Sequence, residues 1–392
     1  MSITNGGNGY IDAPTISFGS TIPKSKVVGK TWTQSTSNTN IEYQDVDYTP
    51  FGMFVAVGST SGINTSTNGT DWYNSGVTGF GTFFGVVGLT TNVIAVGLGG
   101  TVAVSTNYGN TYQASTIYTK SLLGFVNVFT DTTITQDLNA VVSGLNKVVA
   151  VGAAGTILFS DNGPVGYGTA FIVANKISST NLRGVGHNGG IFIAVGDSGE
   201  ILRSSGGEVW SGVTTSTIST RLNSVYHGDD KWVAVGAAGT IITSSDDGLT
   251  WSVVSAGGTF NLNSVYYQDG VWVAIGQSGN VLNSRTGNSW YKRSVGINTD
   301  FKGLAYGDGK LMAVGLTSTI AYSTFETVSA AATATVSAGG TISAITLSDG
   351  GFGYDVNATV EVLISTEPVT KEKIGPLVLV LPNQILFDLL AN

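Results

Sequence analysis

Along most of the chain, short unbroken apolar blocks alternate with clusters of Gly, Asn, Asp and Ser. The pattern repeats. FVAVG (54–58), VIAVG (93–97), VVAVG (148–152), FIAVG (192–196), WVAVG (232–236), WVAIG (272–276) and LMAVG (311–315) place a glycine at 58, 97, 152, 196, 236, 276 and 315, at intervals of 39, 55, 44, 40, 40 and 39 residues. The similarity extends upstream. LNSVYHGDDKWVAVG (222–236) aligns without gaps to the windows 262–276, 182–196, 301–315, 138–152 and 83–97. Each window reads as an apolar strand, a polar turn and a second apolar strand. A third strand such as TIITSS (240–245) follows, then a turn and a fourth strand with a leading aromatic, as in TWSVVS (250–255). The second strand carries almost no polar residue, which predicts burial on both faces rather than the alternation of a half-exposed strand. No stretch combines a 3.6-residue period with helix caps.

Four short strands per repeat, seven times over, predict an all-β, seven-bladed β-propeller. A parallel β-helix fits less well, because its rungs are shorter and leave no place for the aromatic of the fourth strand. The turn before that aromatic resembles the Asp-box of sialidase-type and photosystem II assembly factor-type propellers. The best copy is Ser244-Ser-Asp246-Asp-Gly248-Leu-Thr250-Trp251, and a looser one runs from Ser105 to Tyr112. Gly69/Trp72, Gly207/Trp210 and Gly287/Trp290 keep the glycine and the aromatic. An Asp or Asn side chain there caps backbone N–H groups, the glycine takes a positive φ, and the aromatic wedges between sheets. The seventh repeat lacks its fourth strand, whereas Ser25, Gly29, Thr31 and Trp32 match the box frame at the other end of the chain. This predicts a ring closed by an N-terminal strand near Thr31–Ser35, which leaves few open strand edges.

Two flanking pieces share a Gly-Gly-x-Gly-Tyr frame, at 6–10 and 350–354. The second follows the alternating stretch 332–349 and predicts a small β-module. The first is half a unit that completes something with the C-terminal copy or pairs with another chain. The expected organisation is 1–24, an N-terminal segment; 25–325, the propeller; 326–366, the module; and 367–392, a linker and apolar tail. The tail is expected to pack on another subunit or on the module. The Gly-Tyr unit resembles short repeats in virion structural proteins of tailed phages, notably those of cyanobacteria.

Composition narrows the chemistry. With no Cys there is no disulfide framework and no thiolate nucleophile or ligand. A net charge of −8 argues against a nucleic-acid partner, which requires clustered Lys and Arg. The longest apolar run near the C-terminus, Leu377–Leu381, is far too short to span a bilayer, and the first ten residues have no signal-peptide pattern. Neither a membrane span nor a cofactor is expected.

The sialidase likeness would imply an arginine cluster with a Tyr/Glu pair. The five arginines (183, 203, 221, 285 and 293) match no such arrangement, and the acidic residues are read as lying mostly in turns, for example Asp229, Asp230, Asp269 and Asp308. No catalytic residue is assigned and no enzyme is expected. His187 and His227 align, sharing a column with Tyr267 and Tyr306, and are read as strand-end packing with no metal site. The candidate ligand-binding column is the second residue of the first strand: Asn139, Arg183, Asn223, Asn263 and Lys302, with Phe84 in the second repeat. These are expected to ring one mouth of the axial channel, where the basic pair suits an acidic glycan. The long interval between the second and third repeats, with Tyr118, Lys120, Leu122, Leu123, Phe125 and Phe129, suits a protein contact.

The resemblances together imply a phage virion structural protein of the tail, baseplate or fibre. It would be assembled in the host cytoplasm in multiple copies, with other virion proteins and a host-surface glycan as partners. A photosystem II assembly factor-like propeller and a sugar-binding, lectin-like propeller are the alternatives.

Overall fold

The computed structural model describes residues 15–19, 26–35, 37, 39–123, 126–161, 168–215, 218–255, 258–293, 295–327, 331–336, 342–349, 361–365 and 377–378. The chain divides into two compact units, Val28–Thr324 and a second formed by Met1–Val27 with Phe325–Asn392.

The larger unit is an all-β propeller of seven sheets, each built on four antiparallel strands. The inner strands, in order, are Tyr43–Tyr48, Phe83–Gly88, Leu138–Gly144, Leu182–His187, Leu222–Gly228, Leu262–Gln268 and Phe301–Gly307. The strand that follows each of them is buried along the whole apolar block. Its side chains alternate between neighbours. Phe54 and Ala56 pack with Met312 and Val314 of the seventh sheet, while Val55 and Val57 pack with Phe83 and Val86 of the second. Period-two alternation across two apolar interfaces thus produces a strand that reads as continuously hydrophobic. The first of these contacts joins the last sheet to the first and completes the ring of cores.

The repeat glycine has a steric reason. A Cβ on Gly236 would lie 2.0 Å from the Arg221 carbonyl oxygen, and one on Gly152 or Gly276 would lie equally close to Asp137 O or Asn261 O. The same approach recurs at Gly58, Gly97, Gly196 and Gly315, within 2.4 Å in every case. That carbonyl accepts a hydrogen bond from the residue after the glycine, as from Ala237 N to Arg221 O at 2.8 Å. Any side chain here would push the inner strand off its partner.

In the seventh sheet, Thr33–Gln34 pairs with Ile320–Thr324, at Thr33↔Tyr322 and Gln34↔Ala321, and occupies the outer position. The box on this sheet differs from the sequence reading. The hydroxyl that accepts the Gly29 N–H belongs to Ser323, at 2.8 Å; the serine of the sequence frame, Ser25, lies outside the described residues. Serine and glycine here come from opposite ends of the propeller because the third strand of a sheet always carries the serine.

The insertion before the third sheet forms a hairpin, Thr116–Leu123 and Val126–Thr132. It adds to the outside of that sheet by parallel pairing with Ala170–Val173.

The smaller unit has a five-stranded sheet ordered Ile342–Asp349, Ala331–Val336, Thr15–Gly19, Glu361–Ser365, Leu377–Val378. The N-terminal strand therefore completes the C-terminal module of its own chain, with Phe18 opposite Val362. A two-stranded pair, Lys26–Val27 with Glu326–Thr327, belongs to the same unit. Both Gly-Tyr frames, and the tail after Val378, lie outside the described residues.

Candidate binding site in the axial channel

All seven inner strands carry the same irregularity. The register with the second strand slips after the first residue, between Tyr43 and Asp45, Phe83 and Gly85, Leu138 and Ala140, Leu182 and Gly184, Leu222 and Ser224, Leu262 and Ser264, and Phe301 and Gly303. Each second residue is thus a bulge residue without a ladder partner, and a bulge re-aims its side chain. The outcome is one cavity of about 680 Å³ on the axis, lined by all seven inner strands. Gln44, Phe84, Asn139, Arg183, Asn223, Asn263 and Lys302 all border it.

These seven residues do different work. Asn139, Asn223 and Asn263 each donate an amide N–H to the first carbonyl of a neighbouring inner strand, at Leu182, Leu262 and Phe301, all at 2.7 Å. Their amides belong to a belt between sheets. Arg183 donates to both oxygens of Asp197, at 2.5 and 3.2 Å, and so holds the Asp197 carboxyl below its usual range. Lys302 borders the cavity and has no hydrogen bond or ion pair among the described residues. Of the five sequence candidates, the structure brings all to one cavity and engages the three asparagines in holding sheets together.

The third and fifth positions of most inner strands also border the cavity. Third positions are mostly small because their Cβ atoms point at the neighbouring backbone: one on Gly303 would lie 2.7 Å from Asp45 Cα. The first sheet departs from this rule. Asp45 accepts Val86 N–H at 3.0 Å and Asp47 accepts Gly88 N–H at 2.8 Å, so two carboxylates bind the free edge of the second sheet's inner strand. Burial pushes Asp45 up to about 7 and Asp47 up to about 6, despite the opposing pull of these N–H groups. Sheets five and six place Tyr226 and Tyr266 at the fifth position, with ring centroids 4.5 Å apart. Burial raises both phenols, and the charge of Asp47 raises them further.

The far end of the strands is aromatic. His187 packs on Phe192, His227 on Trp232 and Tyr267 on Trp272, with centroids 4.4, 5.0 and 4.9 Å apart. Burial lowers both histidines. Among the described residues no group of three or more His, Asp or Glu is placed to hold a metal ion, and no helix is long and apolar enough to cross a membrane.

Asp45 and Asp47 escape the sequence reading, which assigns acidic residues mostly to turns. Their repeat does not align without a gap, since Tyr43 to Gly58 is one residue longer than Leu222 to Gly236. The extra residue lies in the Thr49–Met53 turn, closed by Thr49 N to Met53 O at 2.8 Å. Allowing one insertion there brings 43–48 into the column and reveals both carboxylates.

The sequence matches no protein-family model and no curated protein. Its fold has solved counterparts. A structure described as YCF48 bound to D1 peptide is 14% identical and superposes with a TM-score of 0.59, over 75% of this chain and 96% of that one. YCF48 from Cyanidioschyzon merolae, also 14% identical, gives 0.56 over 74% and 98%. A streptogramin B lyase, 9% identical, gives 0.59 over 75% and 97%. At these identities the likeness concerns the propeller fold.

Proposed function

We propose that the chain is a binding propeller without turnover, which holds an extended segment of a partner polypeptide at the mouth of its axial channel, in the manner of an assembly factor. One observation carries this reading: seven bulges turn seven side chains into a single preformed cavity, where Lys302 stands without a partner among the described residues. A preformed site on rigid strands loses little entropy on binding. Lys302 suits an acidic side chain or terminal carboxylate, and Phe84 offers apolar contact in the same cavity. The absence of turnover is supported by the engagement of Asp45 and Asp47 with backbone N–H groups. The fold neighbour described as bound to a peptide agrees with this assembly-factor reading better than with a virion role.

An array of extended acidic peptides tests it. Binding is expected, with Lys302→Glu weakening it about tenfold or more, in line with reversal of a desolvated charge contact. A silent peptide array with hits on a glycan array would replace it with the lectin reading. A virion structural role is the second reading; it rests on the resemblance of the Gly-Tyr frames at 6–10 and 350–354, and no comparison supports it. Recovery of the chain in purified phage particles decides for it.

A further inference from the structure

The repeat supplies its own control for the charge in the channel. At the junction of sheets five and six, the Ser224 hydroxyl accepts Val265 N–H at 3.4 Å. Asp45 does the equivalent work for Val86 N–H between sheets one and two. The remaining third positions are Gly85, Ala140, Gly184, Ser264 and Gly303. A neutral hydroxyl, or no side chain, is therefore enough to hold two sheets together, and an ionisable carboxyl at Asp45 exceeds that structural need. Asp47 repeats the excess two residues on, where other sheets carry Val87, Val142, Gly186 and Ala305.

Neither carboxylate has a cation paired with it among the described residues. The ion pairs found there join Lys120 and Lys147 to Glu208, Arg183 to Asp197, and Lys310 to Asp308. Asp45 and Asp47 are both half-buried and border the cavity, so each gains from a cation that enters it and holds the carboxylate in its charged form. The cavity beside Asp45 and Asp47 holds the Tyr226 and Tyr266 rings, which feel the Asp47 charge from sheets five and six.

We infer that the channel takes a guanidinium group, held between the Asp45 and Asp47 carboxylates on one side and the Tyr226 and Tyr266 rings on the other. Residues two apart on a strand face the same way, about 6.5 Å apart. That spacing suits a planar fork of five N–H donors better than the point charge of an ammonium. Guanidinium is also weakly hydrated and stacks on aromatic faces, so leaving water for this cavity costs it less. The inference deepens the peptide-binding reading and rests on it for its natural occupant, an arginine side chain of the bound segment. The site itself can be probed without that segment.

The test uses the full chain with N-acetyl-arginine amide and its neutral isostere N-acetyl-citrulline amide, followed by calorimetry or ligand-detected NMR. The arginine form should bind at least tenfold more tightly. D45N/D47N keeps an oxygen acceptor for both N–H groups and should abolish the difference, with folding checked by thermal unfolding. D45N and D47N alone should each narrow it if the double variant does not fold. K302A removes a like charge from the same cavity and should tighten the arginine form severalfold. Equal affinity of the two amides, no binding of either, or discrimination that survives D45N/D47N would overturn the inference. Peptide-array hits with no preference for arginine sink this inference alone. Discrimination between the amides with a silent array sinks only the peptide reading.

Discussion

The turn face of the propeller and its axial channel are built from the same seven repeats under opposite rules. On the turn face, Ser66, Ser105, Ser160, Ser204, Ser244, Ser284 and Ser323 are all buried, and each accepts the N–H of a glycine at 2.8–3.0 Å. The glycine partners are Gly69, Gly109, Gly168, Gly207, Gly248, Gly287 and Gly29, and the tryptophans at 32, 72, 210, 251 and 290 donate their indole N–H to the glycine carbonyl. In the channel, seven equivalent positions hold five residue types, Gln, Phe, Asn, Arg and Lys. A buried backbone N–H must find an acceptor, so the first set is constrained by the fold. A bulge residue owes the ladder nothing, so the second set varies: three asparagines bond neighbouring sheets, Arg183 holds Asp197, and Gln44, Phe84 and Lys302 border the cavity.

Substitutions at the two sets should separate stability from binding. The largest effect is expected from Trp32→Ala, which empties a buried wedge next to Phe301. Loss of about 3–5 kcal/mol in denaturant unfolding follows, with ligand affinity of the folded fraction intact. Ser323→Ala leaves the buried Gly29 N–H without an acceptor and should cost about 1–3 kcal/mol by the same measurement. A change in affinity without loss of stability in either variant would break the division between the two faces.

The channel carboxylates give a pH signature. Their folded pKa values lie above the ordinary value of 3.8, at about 7 and about 6, so the folded state binds more protons in between. Their contribution to stability should therefore be greatest near pH 4, fall as pH rises through about 7, and level off above. The fall is on the order of 1 kcal/mol or more per carboxylate. D45N/D47N should flatten that slope in thermal unfolding across pH 4–8. A slope of the same sign and size in the double variant would remove burial of these two groups as its cause. Smallest of all, Lys302→Ala should change stability by no more than about 0.5 kcal/mol, because the lysine makes no hydrogen bond or ion pair among the described residues, while peptide binding falls.

Much of the ring is legible in the order of residues. The VAVG blocks mark the second strands because burial on both faces demands unbroken apolar residues, and the glycine marks a carbonyl too close for a Cβ. The candidate column at Asn139, Arg183, Asn223, Asn263 and Lys302 is legible too, because gap-free repeats fix its phase. One extra turn residue hides the Asp45 strand. The division of labour within the column is hidden as well, since it depends on which carbonyl of a neighbouring sheet lies within reach.

From the sequence alone come the number of sheets, the identity of most of their strands and the polar character of the candidate column, because these follow from local periodicity and side-chain chemistry. The tertiary structure alone assigns Ser323 as the partner of Gly29, inserts Thr15–Gly19 between two C-terminal strands, and brings Asp47 to the same cavity as two tyrosines from sheets five and six. Each of these joins residues far apart along the chain, and such pairings follow from the closure of the ring and the strand order of the flanking sheet, which no local pattern encodes.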